Sequence, residues 1–166
     1  HAQGEYIFTP KFGKITIGAN GRLYRPNSRG TILKDTGDVT ITNYEGGMYS
    51  GIEKRWLMDR IIANVTTRVD KNQNFDFLVS PAASFIYKHR TNHVFRTSFS
   101  SAIRNPTLAD QYLFYDVGRA TLLGNINGFD SLVTTESLLN FVDSKNPDTL
   151  EYYSIDPIRP EQVQTI

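Results

Sequence analysis

The chain of 166 residues contains no cysteine, which excludes disulfide bonds, a thiolate metal site and a cysteine nucleophile. No apolar run approaches the roughly 18 residues that a membrane-spanning helix needs. The charge is almost balanced, with 18 basic and 17 acidic residues, so the basic footprint of a nucleic-acid-binding protein is lacking. Aromatic residues make up 12% of the chain, too many for a disordered protein. The composition predicts one folded domain that spans no membrane with helices and binds no nucleic acid.

Catalytic and metal-binding patterns are also lacking. His89 and His93 have the spacing of helical metal ligands, but they flank a predicted turn and lack the glutamate of a zinc-protease helix. Asp35, Asp38 and Asp116 could ligate calcium, but their spacing matches no calcium-binding loop. The chain has no nucleophile-elbow motif and no glycine-rich phosphate loop. We therefore expect no enzymatic activity, no cofactor and no metal ion.

Alternation of apolar and polar residues dominates what is present. It predicts five antiparallel strands, at residues 15–23, 42–53, 60–70, 77–88 and 94–104. A further strand begins within residues 161–166. The five predicted strands are about ten residues long, beyond the mode of five or six in soluble proteins and close to what a tilted strand needs to cross a bilayer.

The two sides of these strands differ in chemistry. One side is apolar and is predicted to touch lipid through Ile61, Val65, Val69, Phe85, Phe95 and Phe99. The other side carries polar and charged residues in mid-strand, which are predicted to line a polar lumen: Asn64, Arg68, Arg96 and Arg104. A soluble all-β ligand-binding module, such as a sandwich or a lipocalin-like barrel, is the alternative, because it would bury the apolar side in a core.

The predicted connections differ in length. Residues 54–59 and 89–93 form tight turns, whereas 25–41 and 105–160 are long and 71–76 is intermediate. Short turns at one end and longer loops at the other are typical of outer-membrane barrels. Seven aromatic residues lie near the ends of the predicted strands: Tyr24, Tyr44, Trp56, Phe75, Phe77, Tyr87 and Phe95. In an outer-membrane barrel they would form the aromatic girdles at the two membrane–water interfaces. The alternative interpretation is ordinary packing, because aromatic residues favour strands in any β protein.

Four segments resemble the barrel of TonB-dependent outer-membrane receptors. Residues 95–112, FRTSFSSAIRNPTLADQY, are similar to the family's strand-to-loop motif, with Ile103 where the family usually has Phe. Residues 68–75, RVDKNQNF, and 80–87, SPAASFIY, resemble two further strand motifs, with Ala82 in place of the usual Arg. Residues 157–162, PIRPEQ, resemble the start of the next strand. The four occur in the family's order.

This resemblance implies a partial antiparallel transmembrane β-barrel with long extracellular loops. Residues 1–166 would supply about five to six meander strands of a barrel of ~22 strands with a plugged lumen. The plug domain and the TonB box are not recognised, and we expect the chain to be an internal piece of a longer protein.

The resemblance also implies uptake of a nutrient such as an iron chelate, cobalamin, a glycan or a peptide, without a cofactor. The implied partners are outer-membrane lipid, the TonB complex through the missing plug, the nutrient itself and a surface lipoprotein. Loop residues that could grip the nutrient are Tyr112, Tyr115, Asp116 and Arg119.

Overall fold

The computed structural model describes residues 1–35, 39–90 and 93–166 and shows an all-β protein, with 58% of these described residues in strands and 11% in helices. The elements in chain order are β1 (Ala2–Phe8), β2 (Lys14–Tyr24), β3 (Asn43–Trp56), β4 (Ile61–Asn72), β5 (Phe75–His89), β6 (His93–Arg104), α1 (Leu108–Tyr112), β7 (Phe114–Asp116), β8 (Thr121–Leu123), β9 (Phe129–Val133), α2 (Thr135–Ser144), β10 (Tyr152–Ile155) and β11 (Glu161–Thr165).

Seven strands form one antiparallel meander in the order β1-β2-β3-β4-β5-β6-β11. The five predicted strands are confirmed as β2 to β6, and the strand at the C-terminus is β11. The expected number of five to six is too low, because β1 pairs with β2 along its whole length and was not predicted. The strands β1 and β11 lie at the two edges, so the described residues form an open sheet rather than a closed barrel.

The chain folds into two compact units. The sheet unit contains the seven-stranded sheet and comprises His1–Pro26, Thr40–Asn105 and Pro160–Ile166. The loop unit comprises Asn27–Val39 and Pro106–Arg159. It contains two hairpins, formed by β7 with β8 and by β9 with β10, together with α1, α2 and a 3₁₀ helix at Pro147–Thr149.

The connections within the sheet unit correct one prediction. Residues 57–60 form the turn between β3 and β4, and residues 9–13 join β1 to β2 at the same end of the sheet, which we call the turn end. The two long connections, 25–42 and 105–160, leave and re-enter the sheet at the opposite end, the loop end, where β2 and β6 end and β3 and β11 begin. The connection predicted as intermediate at 71–76 is only Gln73 and Asn74, because β4 and β5 continue to the pair Asn72–Phe75. The loop end therefore contains one tight turn as well as the two long connections.

Buried side chains are few. Leu33, Ile41 and Phe75 are the buried hydrophobic residues of the described chain. Asn43 and Asn72 are buried at the loop end of β3 and β4 and exchange side-chain hydrogen bonds of 3.5 and 3.0 Å. No helix among the described residues is long and apolar enough to cross a membrane.

Candidate functional site

The strand register sorts the side chains of the sheet into two faces. Directly paired residues share a face, so the pairs Ile52–Val65, Val65–Ala83 and Ala83–Phe99 form one row across four strands. We call the side that carries Val65 the apolar face and the side that carries Arg68 the charged face. The described rows through Val65, Thr67 and Val69 hold no charged side chain on the apolar face from β1 to β6.

The apolar face is open to its surroundings. Met48 is 65% exposed, Val65 is 53% exposed and Phe85 is 44% exposed, although each lies within a paired strand. Soluble antiparallel sheets bury such a face against a second layer. An uncovered face of this size is typical of a surface that contacts another apolar phase or partner.

Aromatic side chains and lysines border the apolar face at both ends. At the turn end the Lys54 ammonium lies 5.1 Å from the centre of the Trp56 ring, and the Tyr87 and Phe95 rings stack at 6.4 Å. At the loop end the Lys71 ammonium lies 5.4 Å from the Phe77 ring centre. Lysines over aromatic rings at two levels are the arrangement expected where a membrane meets water on both sides.

Two aromatic residues predicted for these borders lie elsewhere. Tyr24 lies on the charged face, where its hydroxyl donates to Glu45 at 3.0 Å. Phe75 is buried, with 8% of its surface exposed. Both are at strand ends as predicted, but the register takes Tyr24 out of the border and burial takes Phe75 out of it.

The height of the apolar face fits a bilayer. Trp56 pairs with Ile61 at the turn end, and Lys71 follows ten residues later on the same strand. At 3.3–3.4 Å per residue these ten steps span about 33–34 Å along β4. At the tilt of 35–45° that strands have in outer-membrane barrels, this length would correspond to a height of about 23–28 Å, against an apolar band of about 25 Å in those barrels.

The four residues predicted to line a lumen share the charged face but do not form one cluster. Asn64 pairs with Glu53 and with Ser84, and Arg68 lies four residues further along β4. Arg96 is exposed on β6, and Arg104 pairs with Glu161 of β11. All four lie on the same side of the sheet by register, spread from the turn end to the loop end.

Sequence reasoning did not identify the charged cluster at the loop end of this face. The Arg68 guanidinium donates two hydrogen bonds to Asp70, at 2.6 and 2.7 Å, and a third to Asn20 at 3.2 Å. The Arg22 guanidinium lies 3.5 Å from the Glu45 carboxylate. Gly47 makes room for the cluster, because a Cβ there would collide with Asp70 Oδ1. The residues come from three strands, and only the registers of β2 with β3 and of β3 with β4 show that they meet.

The same cluster shows that the sheet is curved. One cavity of about 190 Å³ is lined by Asn20 and Arg22 of β2 and by Ile103 and Asn105 at the end of β6. In a flat sheet β2 and β6 would be four strand spacings apart, about 19 Å. The sheet therefore bends toward its charged face.

A second bridge on the charged face reaches across two strands. The Tyr49 ring lies over Gly18, where an added Cβ would collide with the ring, and its hydroxyl donates to Glu5 of β1 at 2.6 Å. Gly18 is directly paired with both Tyr49 and Glu5. The absence of a side chain at Gly18 thus lets one tyrosine tie β3 to β1.

The loop residues predicted to grip a nutrient belong to one continuous piece of the loop unit. Tyr112 ends α1, Tyr115 and Asp116 lie in β7, and Arg119 lies in the turn between β7 and β8. Tyr115 is 44% exposed, and Asp116 accepts a hydrogen bond of 2.7 Å from the Gly118 N–H within its own turn. These four residues lie near one another because they are close in sequence, and no long-range contact is needed to bring them together.

The RNPT segment of the resemblance changes the chain from strand to helix. β6 ends at Arg104, and Thr107 caps α1 with a hydroxyl that accepts from Asp110 N–H at 3.2 Å. The Asp110 carboxylate accepts in return from Thr107 N–H at 2.8 Å, which completes a capping box. The sequence thus ends the strand and starts the loop unit within four residues.

The acidic residues considered for calcium do not converge in the described chain. Asp35 folds onto its own loop: its carboxylate accepts from Ser28 N–H, from the Ser28 hydroxyl at 2.7 Å and from Gly30 N–H at 2.6 Å. The Ser28 N–H bond lowers the pKa of Asp35 most, partial burial opposes it, and the other two bonds lower it further. Asp38 lies outside the described residues, and among the described ones no group of three metal-binding side chains occurs.

No protein-family model matches the chain, and no curated protein sequence and no solved structure shows significant similarity to it. Its function has to be inferred from its own residues and from the geometry described above.

Proposed function

We propose that this chain forms consecutive strands of an outer-membrane β-barrel receptor, of the TonB-dependent type, that imports a nutrient. The observation that carries the proposal is the uncovered apolar face, which would be about 23–28 Å high from Trp56 to Lys71 at the strand tilt of a barrel and which has a lysine over an aromatic ring near each end. In a soluble module this face would require a second layer, whereas in a bilayer the lipid covers it.

The charged face supports the same placement. In the proposed barrel it lines the lumen, so Asn64, Arg68, Arg96 and Arg104 meet water or a plug domain instead of lipid. The sheet bends toward this face, as closure around a polar lumen requires. The open edges at β1 and β11 carry unpaired backbone groups, and in lipid these must be paired by further strands outside the seven.

The loop unit supplies the proposed nutrient contacts. It is formed by most of the two long connections that start at the loop end, and we assign these connections to the cell exterior. Tyr112, Tyr115, Asp116 and Arg119 offer aromatic, acidic and basic groups there. Energy would reach the barrel through a plug domain in contact with the TonB complex, and a surface lipoprotein could deliver the nutrient to the loop unit.

Membrane fractionation and heat-modifiable gel migration test the barrel. The whole protein that carries residues 1–166 is expressed in a Gram-negative host, and unheated and boiled samples of the outer-membrane fraction are compared. We expect sedimentation with the outer membrane and a different migration before and after boiling. Recovery in the soluble fraction, with one migration, would contradict the proposal and favour the soluble β-module.

Growth experiments test the transport. The host is grown with an iron chelate, cobalamin, a glycan or a peptide as the limiting nutrient, with and without the protein and with and without TonB. We expect growth on one nutrient class to require both. Growth that requires the protein but not TonB would be compatible with a membrane barrel but would contradict TonB-energised transport.

A further inference from the structure

A groove opens on the apolar face at the loop end of the sheet. It has a volume of about 600 Å³, within the range of small-molecule sites. Ala19 and Gly46 form its floor, because a methyl group and a hydrogen atom cover the strand less than the larger side chains around them. Four larger side chains form its walls: Tyr44, Met48, Val69 and Phe77.

The groove is open because no large side chain rises from its floor. A Cβ at Gly46 would meet only Asn20 O, at an ordinary contact distance of 3.5 Å, so the position has room for a side chain and leaves it unfilled. The wall residues Met48 and Phe77 are 65% and 71% exposed. An empty apolar groove between exposed walls suits an extended hydrocarbon chain.

The ammonium group of Lys71 lies at the rim of the groove. The Lys71 ammonium donates to Phe75 O at 2.6 Å and lies over the Phe77 ring, and an ammonium has three donors. The Asp76 carboxylate, which is fully exposed, lies 4.0 Å from the Lys71 ammonium. Water screens the contact with Asp76, so Lys71 can bind a second anion.

We propose that the groove holds one acyl chain of an anionic lipid, whose phosphate is bound by Lys71. The site rests on the proposed membrane placement, in which Lys71 lies at the level of the lipid headgroups and the groove lies just below them. The apolar walls account for the acyl chain and the ammonium accounts for the preference for an anionic headgroup.

Native mass spectrometry of the whole protein in detergent tests the site, with phosphatidylglycerol as the anionic probe and phosphatidylcholine as the zwitterionic one. Lys71→Gln is expected to weaken retention of phosphatidylglycerol about fivefold, the effect of one lysine at an anionic lipid surface, and to leave phosphatidylcholine unchanged. Lys54→Gln is the matched control, because Lys54 also lies over an aromatic ring on the apolar face but borders the opposite end. An equal effect of the two variants, or no effect of Lys71→Gln, would overturn the site.

A second pair of variants tests the groove independently of charge. Gly46→Leu fills the floor and is expected to reduce retention of both lipids, whereas Ala63→Leu, on the same face outside the groove, is expected to reduce neither. Displacement of the lipid by an equal concentration of inorganic phosphate would show a free-anion site instead. A barrel that is heat-modifiable but indifferent to all these changes overturns the lipid site alone, and a protein without heat-modifiable migration overturns the proposed function and the lipid site together.

Discussion

Two neighbouring residues on β4 have opposite surroundings. Val65 lies on the apolar face between Ile52 and Ala83, and Asn64 lies on the charged face between Glu53 and Ser84. We expect Val65→Arg to destabilise the barrel by ~2–4 kcal/mol, because it places a charge near the middle of the bilayer. Asn64→Arg is expected to change the stability little, because Glu53 lies directly opposite and the face is already polar.

Urea unfolding of the whole protein in lipid vesicles measures both variants, with the heat-modifiable band as the signal. The wild-type protein and Asn64→Arg are the two controls for Val65→Arg. Equal stability of the two arginine variants would show that the assignment of the faces to lipid and lumen is wrong.

Asp35 provides a pH-dependent contact in the loop unit. Its pKa is lowered chiefly by the hydrogen bond from Ser28 N–H, so the folded loop holds the charged carboxylate. The contribution to loop stability is therefore complete above the unfolded pKa of ~3.9 and is lost as the pH falls through the lower folded pKa. We expect the ¹³C shift of the Asp35 carboxyl, measured in the whole protein, to titrate below ~3.9.

Ser28→Ala tests the cause of this shift. The variant removes the hydroxyl donor at 2.7 Å but keeps both backbone donors. We expect the pKa of Asp35 to rise part of the way toward its usual value. A titration of the wild-type carboxyl at or above ~3.9 would contradict the closed loop.

The sequence predicts on which face of the sheet a residue lies, but it does not predict which residues of other strands it contacts. Alternation places Arg68 and Asp70 on one side of β4 because successive side chains point to opposite faces. The meeting of Arg22 with Glu45 depends on the register of β2 and β3, which an 18-residue connection (25–42) joins. Local alternation does not determine pairing across so long a connection, so the charged cluster was not predicted.

At the scale of the elements, the strands with regular alternation were predicted almost to the residue. The predicted strand at 94–104 is observed as His93–Arg104. β1 was not predicted because its sequence, AQGEYIF, is polar in its first half and continuously apolar in its last three residues, and its pairing with β2 defines it. Polar residues at Lys71, Asn72 and Asp76 predict a longer connection than the observed turn at Gln73 and Asn74, because Asn72 pairs with Phe75.

This turn allows a topology prediction that loop length alone does not make. Gln73 lies at the loop end despite the shortness of its turn, and Met58 lies at the turn end and is fully exposed. With single cysteines at these positions, we expect a membrane-impermeant maleimide to label Gln73→Cys on intact cells. Met58→Cys is expected to react only after the cells are lysed.

Glu136→Cys, on the exposed side of α2 in the loop unit, serves as the positive control for the exterior. Labelling of Met58→Cys but not of Gln73→Cys on intact cells would reverse the orientation. Labelling of both would show that the strands between them do not cross the membrane.

At the scale of the whole molecule, the seven strands are one short of the smallest single-chain outer-membrane barrels, which have about eight. Both edge strands, β1 and β11, are exposed along their full length and present unpaired backbone groups. The apolar face is uncovered as well, and only three hydrophobic residues of the described chain are buried. Such a sheet lacks the core that stabilises a soluble domain of this size.

We therefore expect residues 1–166, expressed alone, not to form a stable monomer in water. The open edges favour pairing with other copies, and the apolar face exceeds what a soluble monomer exposes, so aggregation is the expected result. Light scattering after size-exclusion chromatography, near-UV circular dichroism and thermal melting, all without detergent, measure this. The same preparation in detergent is the control, since micelles cover the apolar face while leaving the edges unpaired. A monodisperse monomer in water with a cooperative melt would mean that the apolar face finds its cover within these residues, and the membrane barrel would give way to a soluble β-module.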